Sequence, residues 1–119
     1  MSFAEATILF PFDPLNPSAE DAQRLQEFLS RDAYRDPRTG WFAMHRDRAD
    51  KPASRRKASL NNRTIHPVKR FAQYDEEGRG IGEPEGWVVK AYFSQTFLDD
   101  IRNPPAGQEA LFAGIRIVE

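Results

Sequence analysis

The chain has 119 residues, a formal net charge of −1, 39% hydrophobic residues and no cysteine. The absence of cysteine excludes disulfides, thiolate metal sites and cysteine nucleophiles. No apolar run approaches the roughly 20 residues of a membrane span. The length favours a single domain over residues 1–119, and residues 1–13 lack the basic and long apolar regions of a secretory signal. We therefore expect a cytoplasmic protein.

The positive charge is concentrated in the middle of the chain. Residues 31–70 contain twelve of the seventeen basic residues and four acidic residues, so this region carries a formal charge of +8. Residues 1–30 and 71–119 carry −4 and −5. A basic region between two acidic flanks indicates an anionic partner.

The first part of the chain predicts a strand, a helix and a second strand. Residues 7–12 are an apolar run that predicts a strand, and because proline cannot donate to a strand ladder, this strand should either lie at an edge of the sheet or end at Pro11. Ser18 is a candidate N-cap for an amphipathic helix over residues 18–32. Turn-forming residues then lead into a predicted strand at 41–45.

The second part begins with a long polar stretch. Residues 46–63 contain one large apolar residue, so they predict a mobile loop inserted in the domain. A third strand is expected from about Val68, with a short helix from Pro67 as the alternative, and a central strand is expected at 87–93, where nearly every residue is apolar. A short helix over 94–102 and an alternating strand over 111–118 complete the chain.

This order of elements predicts an α+β fold. We expect an antiparallel or mixed sheet of four to five strands with two helices on one face, and a basic loop inserted at about residues 46–63. A ferredoxin-like layout with one extra strand is the first hypothesis for the topology.

The basic loop and the strand after it are the candidate nucleic-acid-binding site. Each cation that neutralises a phosphate releases condensed counterions, and arginine suits bidentate phosphate contacts. Trp41, Phe42 and Phe71 flank the loop and are candidates for base stacking. A solvated loop that only maintains solubility is the alternative interpretation. The candidate phosphate-binding residues are Arg46, Arg48, Lys51, Arg55, Arg56, Lys57, Arg63, Lys69 and Arg70.

Two histidines offer an enzymatic alternative. His45 and His66 flank the basic loop, and imidazoles beside arginines are the groups that metal-independent phosphodiester cleavage requires. The spacing of the histidine and aspartate donors matches no standard metal site, and the surrounding arginines would repel a divalent cation. We expect no metal and no cofactor.

The sequence therefore predicts a small binding module, without catalysis, whose partner is nucleic acid or another polyanion. A ribonuclease-type toxin that uses His45 and His66 is the second hypothesis. A protein-interaction or oligomerising domain is the third, since the final strand could add to the sheet edge of a neighbour. No membrane association is expected, and the sequence leaves the oligomeric state open.

Overall fold

Six strands and two α-helices form the part of the chain that the computed structural model describes, which comprises residues 2–37, 41–44, 59–60 and 65–118. The predicted α+β fold is confirmed. The elements in chain order are β1 (Phe3–Phe10), α1 (Ala19–Leu29), β2 (Trp41–Met44), β3 (Ser59–Leu60), β4 (Val68–Arg70), β5 (Gly86–Ser94), α2 (Gln95–Arg102) and β6 (Arg116–Ile117), with short 3-10 helices at Asp32–Tyr34 and Glu109–Phe112.

The strand β5 lies at the centre of the sheet, as its apolar sequence predicts. On one side β5 pairs antiparallel with β1 over the whole length of β1, from Phe3 opposite Ser94 to Phe10 opposite Trp87. On its other side β5 pairs antiparallel with both β2 and β4. The strand order is β3-β2-β5-β1-β6, and only the β2–β3 pair is parallel. The antiparallel order β2-β5-β1-β6 is compatible with a ferredoxin-like layout.

Both helices begin at the serines that the sequence predicts as caps. The Oγ of Ser18 accepts a hydrogen bond from the Asp21 backbone N–H at 3.3 Å, and the Oγ of Ser94 accepts one from the Phe97 backbone N–H at 3.0 Å. Such caps satisfy backbone donors that have no partner inside the helix. The first helix ends at Leu29, earlier than predicted.

Aromatic rings dominate the core and place both helices on one face of the sheet. The ring centroid of Phe97 in α2 lies 5.3 Å from that of Phe28 in α1 and 4.7 Å from that of Phe42 in β2. These rings form one cluster with Val89 and Phe93 of β5. The prediction of two helices on one face is confirmed.

The C-terminal segment differs from the predicted strand. Residues Glu109–Phe112 form a 3-10 helix, and Gly114, at φ 78°, reverses the chain before β6. Arg24 of α1 donates hydrogen bonds to the carbonyl oxygens of Leu111 and Ala113. A guanidinium group therefore takes the acceptors that a longer strand would offer to a neighbouring strand.

Two other segments also differ from the predictions. β1 begins at Phe3, before the apolar run, because its backbone pairs with β5 as far as Ser94. Within the predicted loop, Ser59 and Leu60 form β3 beside β2. The rest of that loop lies outside the described residues.

Candidate anion-binding surface

The basic segment, residues 46–63, lies between two short strands that share one side of β5. Met44 of β2 lies opposite Tyr92, and Val68 of β4 lies opposite Val88. The chain therefore advances 24 residues while it moves four residues along β5, which is about 13 Å at the usual strand rise. β2 and β4 occupy the positions of two halves of one strand, and the basic segment is inserted at the break between them.

Buried side chains anchor the sheet on both sides of this insertion. Met44 is 2% exposed and Ile65 is 1% exposed, and Ile65 belongs to the hydrophobic core. Burial of a large apolar side chain contributes about 1.5–3 kcal/mol. The residues that flank the segment on each side are therefore held by packing.

Most of the predicted site residues lie outside the described part of the chain. The described ones are His66, Lys69 and Arg70, and all three are exposed. The predicted approach of His45 to His66 therefore stays a hypothesis. The predicted site residues outside the description are His45, Arg46, Arg48, Lys51, Arg55, Arg56, Lys57 and Arg63.

Arg70 is engaged in an ion-pair cluster within the protein. Its Nε lies 3.4 Å from Glu85 Oε2, and Arg116 Nη2 lies 3.6 Å from the same oxygen. The pairing of Arg70 with Gly86 across β4 and β5 brings Glu85 to this place. Two guanidinium groups share one carboxylate, so the cluster retains one net positive charge.

The other described arginines are paired with carboxylates as well. Exposed ion pairs add little to stability, but they reduce the charge that an external anion meets. Among the described cations, only Lys69 and Lys90 have no carboxylate within ion-pair distance. The arginine pairs outside the Arg70 cluster are Arg24–Asp21, Arg31–Glu27, Arg35–Asp32, Arg79–Asp75 and Arg102–Asp99.

The distribution of formal charge separates the basic segment from the rest of the protein. The described residues contain nine basic and fifteen acidic residues, a formal charge of −6. The basic segment contains seven basic and two acidic residues, a formal charge of +5. A polyanion is therefore repelled by most of the described surface and attracted by the segment.

Lys90 is a candidate site residue that the sequence analysis missed. Side chains alternate between the two faces of a strand, so Lys90 and Tyr92 lie on the side of β5 opposite the core. Lys90 is exposed and Tyr92 partly exposed. Extending the β4–β5 register by two residues puts His66 opposite Lys90. The sequence feature that could have identified Lys90 is its charge, because Lys90 is the single charged residue in the otherwise apolar strand predicted at 87–93. The residues of β5 that face the core are Val89, Ala91 and Phe93.

Two of the three predicted stacking residues are constrained by packing. Phe42 is 0% exposed, so it offers no ring face to a base and its prediction is wrong. Phe71 is partly buried and packs edge-on against Tyr74 at a ring-centroid distance of 5.9 Å. The side chain of Trp41 lies outside the description.

A buried polar network connects the residues after α1 to α2 and to the C-terminal segment. The hydroxyl of Tyr34 donates to Asp100 Oδ2 at 2.6 Å. Arg31 Nη1 donates to that hydroxyl at 3.3 Å and to Gln108 Oε1 at 2.8 Å. Burial and the Asp100 carboxylate raise the pKa of Tyr34 to about 12. A neutral tyrosine that is fully hydrogen-bonded is a structural group and a poor nucleophile.

An open groove of about 680 Å³ lies between α1 and residues 107–111. Arg24 and Arg31 line the groove, but both donate hydrogen bonds to oxygens of the protein. The groove therefore lacks an available cation for an anionic ligand. In the described ranges, no group of three or more metal-ligating side chains could hold an ion. Neither described α-helix has the length and apolar character required to cross a membrane.

Comparison of the chain with protein-family models, curated proteins and solved structures gave no match in any of the three. The interpretation of function therefore depends on the chemistry and placement of the residues themselves.

Proposed function

We propose that the protein is a binding module, without catalysis, whose basic segment contacts nucleic acid or another polyanion. The observation that carries the proposal is the division of charge. Every described arginine has a carboxylate partner, whereas the segment holds seven basic residues against two acidic ones. Counterion release at a phosphate backbone needs such a cluster of cations.

The position of the segment supports the same proposal. Met44, before the basic segment, and Ile65, after it, are both buried, so packing fixes the residues that flank the segment on each side. Restricting a segment before binding lowers the entropy lost when the complex forms. Lys69, exposed and without a carboxylate partner among the described residues, lies four residues after Ile65 and extends the basic surface.

The proposal is tested by the dependence of binding on salt. The wild-type protein should bind a labelled RNA in a gel-shift assay, with a log–log slope of affinity against salt of about −3 to −6. Replacing Arg55 and Arg56 by alanine should weaken binding to all sequences alike and flatten the slope by about 1.4–1.8. The matched control replaces Arg79 and Arg102, two arginines with carboxylate partners, and should leave the slope unchanged.

Two results would contradict this proposal. Absence of both a shift and cleavage at low salt would exclude RNA as the partner, and absence of binding to DNA and heparin as well would leave a protein partner as the remaining hypothesis. Cleavage of the RNA that is lost in His66→Ala, with binding retained, would establish the ribonuclease hypothesis in its place.

A further inference from the structure

We infer that the open face of the sheet, defined by Thr7, Val88, Lys90 and Tyr92, binds a single-stranded nucleic acid. This inference rests on the proposed function, because it takes nucleic acid to be the partner. It goes further by naming the class of nucleic acid and by assigning a second contact surface.

The open face lies on the side of the sheet opposite the two helices. Val89 and Phe93 of β5 are buried in the same core as Phe28 of α1 and Phe97 of α2. On the opposite side of β5, Lys90 is exposed, and its neighbours on that face are partly exposed. Thr7 of β1 lies opposite Lys90 and is partly exposed. The side chains of Thr7, Val88, Lys90 and Tyr92 are therefore accessible on this face, whereas Leu9, opposite Val88, and Met44, opposite Tyr92, are buried on it.

Positive charge extends along this face. Lys90 has no carboxylate partner among the described residues. Gly86 and Lys90 are four residues apart in β5, so they share a face. Arg70 lies opposite Gly86, and its cluster with Arg116 and Glu85 keeps one net positive charge. The face therefore presents cations at one end and in the middle, next to the break at which the basic segment is inserted.

Tyr92 gives this surface a means of contacting bases. Its partly exposed ring lies two residues beyond Lys90, about 7 Å along the strand. Aromatic side chains stack on unpaired bases of any sequence, whereas the bases of a duplex are already stacked on one another. A surface with cations and an accessible ring therefore fits a single strand better than a duplex. Glu5 lies opposite Tyr92 and is exposed, so it opposes a polyanion at this end.

The experiment compares three probes by fluorescence anisotropy. They are oligothymidylate and oligouridylate of about 20 nucleotides, which distinguish DNA from RNA, and heparin, a polyanion without bases. Tyr92→Leu should weaken binding of the oligonucleotides roughly tenfold and leave heparin binding unchanged. Tyr92→Phe, which keeps the ring, should bind like the wild type. Tyr74→Leu is the matched control, because Tyr74 is 51% exposed on a different segment.

Charge variants test the same face independently of the ring. Lys90→Gln should flatten the salt slope for oligothymidylate by about 0.7, the value for one phosphate contact on a single strand. Glu5→Gln should strengthen binding, because it removes a negative charge beside the strand. Thermal unfolding of each variant checks that the variant is folded. If Tyr92→Leu is unfolded, the binding of Lys90→Gln decides whether the open face is the site.

The outcomes separate this inference from the proposed function. If Tyr92→Leu and Lys90→Gln bind the oligonucleotides like the wild type, the open face is not the site, and the basic segment remains the proposed one. If oligonucleotides bind no better than heparin and Tyr92→Leu has no effect, the partner is a polyanion without base contacts and the inference is wrong. If the wild type binds none of the probes, both proposals fail.

Discussion

Arg24 donates two hydrogen bonds to the carbonyl oxygen of Leu111, from Nε at 3.1 Å and from Nη2 at 2.8 Å. The same Nη2 donates to the carbonyl oxygen of Ala113 at 2.7 Å, and the guanidinium carbon lies 5.4 Å from the centroid of the Phe12 ring. One side chain of α1 thus holds the C-terminal 3-10 helix against the body of the protein.

Replacing Arg24 by alanine should destabilise the protein by about 1.5–3 kcal/mol, since hydrogen bonds from a charged donor contribute that much. Urea unfolding measures the change in the free energy of unfolding. Arg102→Ala is the control, because Arg102 is exposed and pairs only with Asp99 among the described residues. Equal effects of the two substitutions would mean that the bonds to Leu111 and Ala113 contribute nothing beyond a surface ion pair.

The raised pKa of Tyr34 predicts a loss of stability at high pH. Its folded pKa of about 12 exceeds the ordinary tyrosine value of 10.0, so the folded state binds the phenolic proton more tightly. This contribution is complete below pH 10 and declines as the pH rises from about 10 to about 12. Tyr34→Phe should lower stability at neutral pH by about 1 kcal/mol and make the decline between pH 10 and 12 shallower. Urea unfolding at a series of pH values measures both effects, and an unchanged decline would contradict the assignment.

Replacing Phe97 by alanine is expected to cost more stability than replacing Trp87 by alanine. Phe97 is 0% exposed and contacts rings from α1 and from the sheet, so Phe97→Ala should cost about 3–5 kcal/mol. Trp87 opens β5 but is only partly buried, and Trp87→Ala should cost less. Thermal and urea unfolding of the two variants give the comparison. A larger effect at Trp87 would show that the core is centred elsewhere.

Gly86 is expected to resist substitution because of a close backbone approach. A Cβ at this position would lie 2.5 Å from the carbonyl oxygen of Phe10, which is fixed by the pairing of β1 with β5. Gly86→Ala should therefore cost about 2–3 kcal/mol. At Gly80 the added Cβ would lie 2.2 Å from Phe71 Cδ1, but Gly80 is exposed and Phe71 lies outside the hydrophobic core, so a shift there disturbs no core packing and Gly80→Ala should cost less. The free energy of unfolding of the two variants tests this order.

Local signals account for the elements that the sequence predicts. Ser18 and Ser94 stand directly before helical apolar periodicity, and the apolar run of β5 is long enough to require burial on one face and pairing on both sides. β3 was missed because two residues carry no periodicity, and its position depends on pairing with β2. The final strand is shorter than predicted, covering only Arg116–Ile117, because the hydrogen bonds to Leu111 and Ala113 come from Arg24, nearly ninety residues earlier.

In the candidate site, too, some residues can be identified from the local sequence and others only from contacts between residues that are distant in sequence. Counting charges identifies the basic segment, but it treats Lys69 and Arg70 as equivalent. The structure distinguishes them, because the β4–β5 pairing brings Glu85 to Arg70, whereas no carboxylate of the described residues pairs with Lys69. Lys90 was missed because its exposure depends on which face of β5 the helices cover. Such relationships between residues distant in sequence become visible only in the folded chain.

The break between β2 and β4 determines where the fold can accept changes of sequence and length. The two half-strands are held on β5 whatever the chain between them contains, and doubling the length of a flexible loop costs only about 0.6 kcal/mol of closure entropy. Insertions, deletions and exchanged sequences at residues 46–58 should therefore be tolerated by the rest of the fold. The sheet can act as a display scaffold, on which a grafted peptide changes what is recognised without redesign of the core.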